Sequence, residues 1–141
     1  MKVRDVENGY LIRLEKGEPV MRTLTTYCEK NSVMTAVFHA MGAVENSEIG
    51  YYDLAKKQYF FRTIPETREV ASMHGNVAMI DGNPIVHAHV VLSASDESLA
   101  CIGGHVKEVT VAVTLEIFLR PLPAAVSRLM DESIGLKLLD L

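Results

Sequence analysis

Apolar and polar residues alternate in short runs along most of this chain, and turn-forming residues separate the runs. Gly9 to Leu14 mixes β-formers with polar positions and predicts an opening strand. Gly17-Glu18-Pro19 then resembles a helix start, because proline's fixed φ and missing N–H suit the first turn. Val20, Leu24 and Tyr27 follow at three- and four-residue steps, with Cys28 beside them, which predicts one amphipathic helix to about Lys30. Asn31-Ser32 stops it. Beyond that point the pattern is almost all strand. Val33 to Met41 forms a run that Gly42-Ala43 is expected to break. Ser47 to Asp53 and Gln58 to Thr63 read as a hairpin turning at Leu54-Ala55-Lys56-Lys57. Arg68 to Met73 is a strand ended by His74-Gly75-Asn76, and Val77 to Ile80 meets the turn chemistry of Asp81-Gly82-Asn83-Pro84. Ile85 to Ser93 is strongly β, and Leu99 to Ile102 leads into Gly103-Gly104-His105. Thr110 to Arg120 is the longest alternation, with Val111, Val113, Leu115, Ile117 and Leu119 on one face. Pro121 and Pro123 end it, Ala124 to Met130 predicts a short helix, and Leu136, Leu138, Leu139 and Leu141 leave an apolar terminus that must dock to leave water.

Many strands, one clear helix and hairpin spacing predict an α+β fold: a central antiparallel β-sheet with one main helix packed on it. Several strands are apolar on both faces, which calls for a second cover from a partner subunit. With 141 residues and no linker or repeat, the chain is expected to form one domain over residues 1–141. Lys plus Arg is 14 and Asp plus Glu is 18, a formal net charge of −4, so the domain as a whole does not attract a polyanion. The two cysteines, Cys28 and Cys101, make no CxxC pair and read as small buried hydrophobes. No signal-peptide core or bilayer-length apolar run is present, which predicts a soluble cytoplasmic protein with reduced thiols and no membrane contact.

The chemistry concentrates in His87-Ala88-His89, inside the strand Ile85 to Ser93. Residues two apart on a strand share a face, roughly 7 Å apart at Cα, and two imidazoles there converge on one metal ion at about 2.0–2.1 Å each. The third ligand expected is His105, since a turn at Ser95-Asp96-Glu97-Ser98 and a returning strand bring it back beside the pair. Three neutral histidines leave Zn²⁺ an open fourth position, the pattern of a catalytic site; imidazole also suits nickel and cobalt. The competing reading is a pair of packed histidines with backbone partners. His39, mid-strand among core residues, and His74, in a turn, are expected to be structural or solvated. Glu69, Asp81, Asp96, Glu108 and Glu116 are candidate bases or supporting carboxylates, and Glu69 is the one chosen as catalytic, because its strand runs into Gly75-Asn76 just ahead of the histidines.

Gly75-Asn76-Val77, Pro84, His87-x-His89, Gly103-Gly104-His105 and the strand Val111 to Leu119 together resemble the PPC domain family, shared by plants and prokaryotes. Gly42-Ala43-Val44, Tyr51-Tyr52-Asp53 and Glu69-Val70-Ala71-Ser72 match as well, so the resemblance covers nearly the whole chain in order. It implies an α+β domain that assembles as a homotrimer, with zinc held by His87, His89 and His105. The fold is also similar to that of alpha-acetolactate decarboxylase, whose zinc is held by three histidines, though a shared fold does not transfer a reaction. The family is widely labelled DNA-binding, and its plant members often carry an AT-hook before this domain. No such segment occurs here, and Lys56-Lys57 is the only adjacent basic pair. Three readings follow: a trimeric zinc protein that binds or transforms a small ligand, a DNA-binding or transcription-associated module, and a structural oligomerisation domain.

Overall fold

The computed structural model describes residues 1–141. In chain order the elements are β1 (Lys2–Val6), β2 (Gly9–Glu15), α1 (Val20–Lys30), β3 (Ala36–Asp53), β4 (Gln58–Ile64), β5 (Arg68–Ile80), β6 (Asn83–Ala94), β7 (Cys101–Pro121), β8 (Arg128–Asp131) and β9 (Leu136–Leu139). The expected α+β fold is present, with one helix and a large antiparallel sheet of order β1-β2-β7-β6-β5-β3-β4. A further pairing of β7 with β3 closes β3, β5, β6 and β7 into a ring. Its inward face and the apolar stripe of α1 form one core, including Leu24, Phe38, Met73, Val90, Leu92, Val106, Leu115 and Ile117. No helix is long and apolar enough to cross a membrane.

The helix obeys its sequence pattern but is capped from outside it. Pro19 is the N-cap and contributes no side-chain hydrogen bond. The free N–H groups of Met21 and Arg22 instead donate to the Glu108 carboxylate, at 2.8 and 3.1 Å. A carboxylate from β7 thus meets both the unpaired donors and the positive end of the helix dipole.

Two expected strand breaks are absent. Gly42-Ala43 and His74-Gly75-Asn76 lie inside continuous strands, and Gly103-Gly104-His105 lies within the long strand β7. Closing the ring demands sharp bends, and glycine permits them. Gly42, at φ 146°, sits in a register shift where β3 passes β7. Gly75 leaves room for the Phe38 ring and the His87 carbonyl, which a Cβ would strike. The same register shift explains Val113. Its neighbours Val111 and Leu115 are buried, but Val113 lies opposite the bulge and is 67 % exposed.

Other expectations are corrected. The opening strand is preceded by β1, whose hairpin partner is β2. Ala124 to Met130 forms no helix: its backbone is committed elsewhere, with Val126 N–H donating to Thr35 Oγ1 (2.8 Å) and Met79 N–H to the Val126 carbonyl (2.8 Å). Arg128 to Asp131 becomes β8 and pairs with β9. The C-terminal leucines do not dock fully, since Leu138, Leu139 and Leu141 all stay exposed. Cys28 is buried as expected, but Cys101 is exposed at the start of β7. The turn Asp81-Gly82 forms as read, a two-residue connection with both φ values positive (50° and 82°).

Two substitutions test this packing by urea unfolding. Leu115→Ala, at a fully buried position, is expected to cost about 2–5 kcal/mol. Gly75→Ala is expected to cost about 1–3 kcal/mol, because its methyl group has no space beside Phe38. Wild-type stability for Gly75→Ala contradicts the close approach of β3 and β5.

Candidate metal centre

His87 and His89 lie on β6, where odd-numbered positions face outward and Ala88, Val90 and Leu92 face the core. The β6–β7 hairpin pairs Ser93 with Cys101 and His89 with His105. Its connection is held by Asp96, whose carboxylate accepts from Ser98 N–H at 2.9 Å, and by Ala94 N–H donating to the Ala100 carbonyl at 2.9 Å. The three predicted ligands therefore meet. Ring centroids are 5.3 Å apart for His87–His89, 5.0 Å for His87–His105 and 5.4 Å for His89–His105. One ligating nitrogen from each lies within 4.8 Å of the others.

The environment favours the lone-pair form of these rings. Burial pushes the His105 pKa down to about 4, with the nearby His87 and His89 adding to the shift. Burial likewise lowers that of His87, helped by Arg128 and His89. Neutral imidazole is the form that binds metals. His105 Nδ1 is also buried with no hydrogen-bond partner, an orphaned acceptor or donor that a ligand would satisfy. The donor set and its geometry fit a divalent transition-metal ion.

Aromatic side chains wall the cluster on one side. Tyr59 packs against His105 at 4.6 Å between centroids, the rings tilted by 32°, and Phe61 lies at 6.2 Å. Gly50 pairs with both Phe61 and His105, and a Cβ there would strike the Phe60 carbonyl, so its absence lets β4 close over the site. Arg128 of β8 borders the cluster at His87. Its Nη2 donates to Asn76 Oδ1 at 2.8 Å and lies 3.3 Å from His87 Nδ1, while Nη1 donates to the Lys137 carbonyl at 3.1 Å.

His39 and His74 are neither core nor turn residues. His39 pairs with His74, His74 with His89 and His89 with His105, so four imidazoles form a row winding across β3, β5, β6 and β7 on the outer face. His39 ends the row by stacking on Phe118 at 4.7 Å. Both rings stay exposed, at the edge of a groove of about 440 Å³ shared with Phe118 and Arg120.

The expected carboxylates go elsewhere. Glu69 is exposed and pairs with Ser93, four positions from His89, roughly 13 Å along the strand. Glu108 caps α1, Asp96 shapes the hairpin, Asp81 accepts from Lys137 Nζ at 2.8 Å and Glu116 is exposed on β7. Tyr59 and Arg128 were missed by the sequence reading. The hairpin pattern carries Tyr59 without marking it. Arg128 falls in the segment whose composition suggested a helix, and nothing local ties it to residues 41 and 52 positions earlier.

Fold and site together define a small closed-sheet α+β domain with three convergent histidines on its outer face. The chain belongs to the Plants and Prokaryotes Conserved (PCC) domain family, whose profile matches residues 1–123. It is similar to a metal-containing protein from Archaeoglobus fulgidus, at 35 % identity over 100 % of both chains, with a TM-score of 0.85. It is also similar to a plant- and prokaryote-conserved (PPC) protein from Pyrococcus horikoshii, at 32 % identity over 99 % of this chain and 94 % of that one, with a TM-score of 0.86. A third structure, from Ralstonia eutropha JMP134 and provisionally named as DNA-binding, is 28 % identical over 99 % of this chain and 96 % of that one, with a TM-score of 0.89. Among curated proteins, none matches.

The lowered imidazole pKa values carry a sign. The unfolded chain takes up protons near the ordinary histidine value of 6.5, whereas folded His105 does so only near 4. The unfolded state thus binds more protons in that window, and stability falls as pH drops from 6.5 toward 4. Urea unfolding of metal-free protein should show this slope, and His105→Gln should flatten it; an unchanged slope would mean the ring is freely solvated.

Proposed function

We propose that this protein is a homotrimeric, zinc-dependent domain that binds a small ligand at His87, His89 and His105. The observation that carries the reading is the convergence of three outward imidazoles, two of them held neutral, on one rigid hairpin. The metal-containing relative from Archaeoglobus fulgidus supports it. A zinc ion bound here would supply Lewis acidity, polarising a carbonyl or carboxylate or lowering the pKa of water. The chain's own residues do the rest. Tyr59 and Phe61 shield one side, and the three ligands leave room for a fourth donor. Glu69 shares the histidines' face, but direct proton transfer needs about 2.6–3.2 Å, so within one chain it acts at the far end of a ligand and not at the ion.

The trimer reading is supported by the outer face itself. Val37, Met41, Ile85, Val91, Val113 and Phe118 are each at least 36 % exposed, a distribution that a second and third copy would cover. In this reading the protein works in the cytoplasm, where the exposed Cys101 remains a thiol. DNA binding is the second reading, supported by the provisional name of the Ralstonia eutropha relative and opposed by the net charge of −4.

Metal content measured by mass spectrometry on purified wild type is expected near one zinc per chain. The triple variant His87→Ala, His89→Ala, His105→Ala should hold less than about a tenth of that, and sedimentation should show three chains per particle for both. Equal metal in the two proteins would end the metal reading. Duplex DNA titrated at rising salt decides the alternative: no binding at low salt removes it, and a steep loss of affinity with salt supports it.

A further inference from the structure

We propose that Arg128 is the oxyanion receiver of the histidine cluster, so that the ligand of this site is a small acid with a carboxylate, or another compact oxyanion, held against the guanidinium. The proposal rests on the metal reading above and gives that site its ligand class. Arg128 also lies beyond the residues matched by the family profile, 1–123.

The argument begins with charge. Arg128 is partly buried and takes part in none of the ion pairs of the protein. Its contacts are neutral: Asn76 Oδ1, the Lys137 carbonyl and His87 Nδ1. Its Nε is buried with no partner at all. A desolvated cation without a counter-ion is costly, and proteins keep one where a ligand brings the missing charge. Arginine's planar fork matches a carboxylate better than any other side chain does.

Hydrogen-bond valence then gives the reason the anion is needed once a metal is bound. A neutral imidazole has one N–H and one lone pair. With Arg128 Nη2 at 3.3 Å, His87 Nδ1 supplies the lone pair and Nε2 carries the proton. Were Nε2 the ligating atom, that proton would have to sit on Nδ1, facing the guanidinium donor to donor; were Nδ1 the ligating atom, the guanidinium would face a bound cation. Either way Arg128 would lose His87 as an acceptor, keep only the neutral oxygens of Asn76 and Lys137, and gain a positive neighbour. A negatively charged oxygen, accepting from Arg128 and facing the cluster, answers both changes, whereas a neutral acceptor answers only the first.

Arg128 is held where such a group arrives. Asn76 and the Lys137 carbonyl grip two of its nitrogens, so the fork is fixed before a ligand comes.

The test uses the full-length protein, first assayed for metal, with acetate, inorganic phosphate and neutral acetamide as probes. Anion binding is read from the ¹H–¹⁵N resonance of the Arg128 Nε–H group and by calorimetry. Acetate or phosphate should shift that resonance saturably and acetamide should not; the stronger of the two anions identifies the oxyanion class. Arg128→Gln should weaken calorimetric anion binding at least tenfold while the zinc Kd moves less than about threefold. Should Arg128→Gln disturb β8, Arg128→Lys decides, because it keeps the charge without the fork and is expected to weaken binding three- to tenfold. Equal binding by Arg128→Gln, equal response to acetamide, or no response to either anion overturns the proposal. If the wild type takes up no metal, the metal reading fails by itself. The same titration on metal-free protein then judges Arg128: a saturable anion shift sustains the receiver, and its absence removes it.

Discussion

The register of β6 against β7 is the constraint on which the rest of the site depends. His89 faces His105 only because Val90 and Leu92 on one strand and Val106 on the other are pinned in the core, each at most 2 % exposed. A slip of one residue would turn every side chain of the moved strand over. His105 would enter the core and Val106 would leave it, at about 1.5–3 kcal/mol for that valine alone before the imidazole is counted. The ligand set is thus held by apolar burial on the opposite face of the same strands. Gly104 completes the device, since a Cβ there would lie 2.6 Å from the Gly50 carbonyl oxygen. Its absence lets β7 serve β6 on one edge and β3 on the other, which closes the ring.

This explains which parts of the site could be read from the sequence. His87-x-His89 is a local pattern, and period-two alternation alone puts both rings on one side. His105 could be placed because a hairpin is nearly local too, with turn residues marking its tip. The histidine row was out of reach. It requires knowing that β3 lies beside β5 in a particular register, and the intervening hairpin of β3 with β4 hides that pairing. The glycines misled for a related reason. Gly42 and Gly75 weaken a strand by local propensity, yet ring closure needs a bend at one and a close approach at the other, and tertiary demand prevails. The apparent helix over Ala124 to Met130 fails in the same way, because Thr35, just ahead of β3, and Met79 of β5 claim its backbone groups.

The electrostatics follow from placing every histidine of the chain on one face. A row of lysines would repel itself across strands about 4.8 Å apart, whereas neutral imidazoles can sit at that spacing without charge. Partial burial by Tyr59 and by one another keeps His87 and His105 neutral where an isolated histidine begins to charge. The overall charge of −4 is therefore a poor guide to the three-histidine cluster, which carries lone pairs, the Arg128 guanidinium beside His87 and no carboxylate.

The C-terminal hairpin turns that surface into a site with a defined edge. It is tied at three separate places. Tyr52 Oη donates to the Ile134 carbonyl at 2.8 Å, Lys57 Nζ to the Glu132 carbonyl at 2.7 Å, and Lys137 Nζ pairs with Asp81 at 2.8 Å. These anchors lie on the β3–β4 hairpin and on the β5–β6 turn, so β8 and β9 bridge the two sides of the histidine cluster. Gly135, at φ 80°, makes the tight β8–β9 turn against the Tyr52 hydroxyl, where a Cβ would lie 2.9 Å away. A side chain on a free tail would lose its rotamer entropy each time it met a ligand. Arg128, on a hairpin fixed at both ends, loses that freedom when the chain folds. Leu138 and Leu139 of β9 stay exposed, but the strand that carries them holds the arginine through the Lys137 carbonyl.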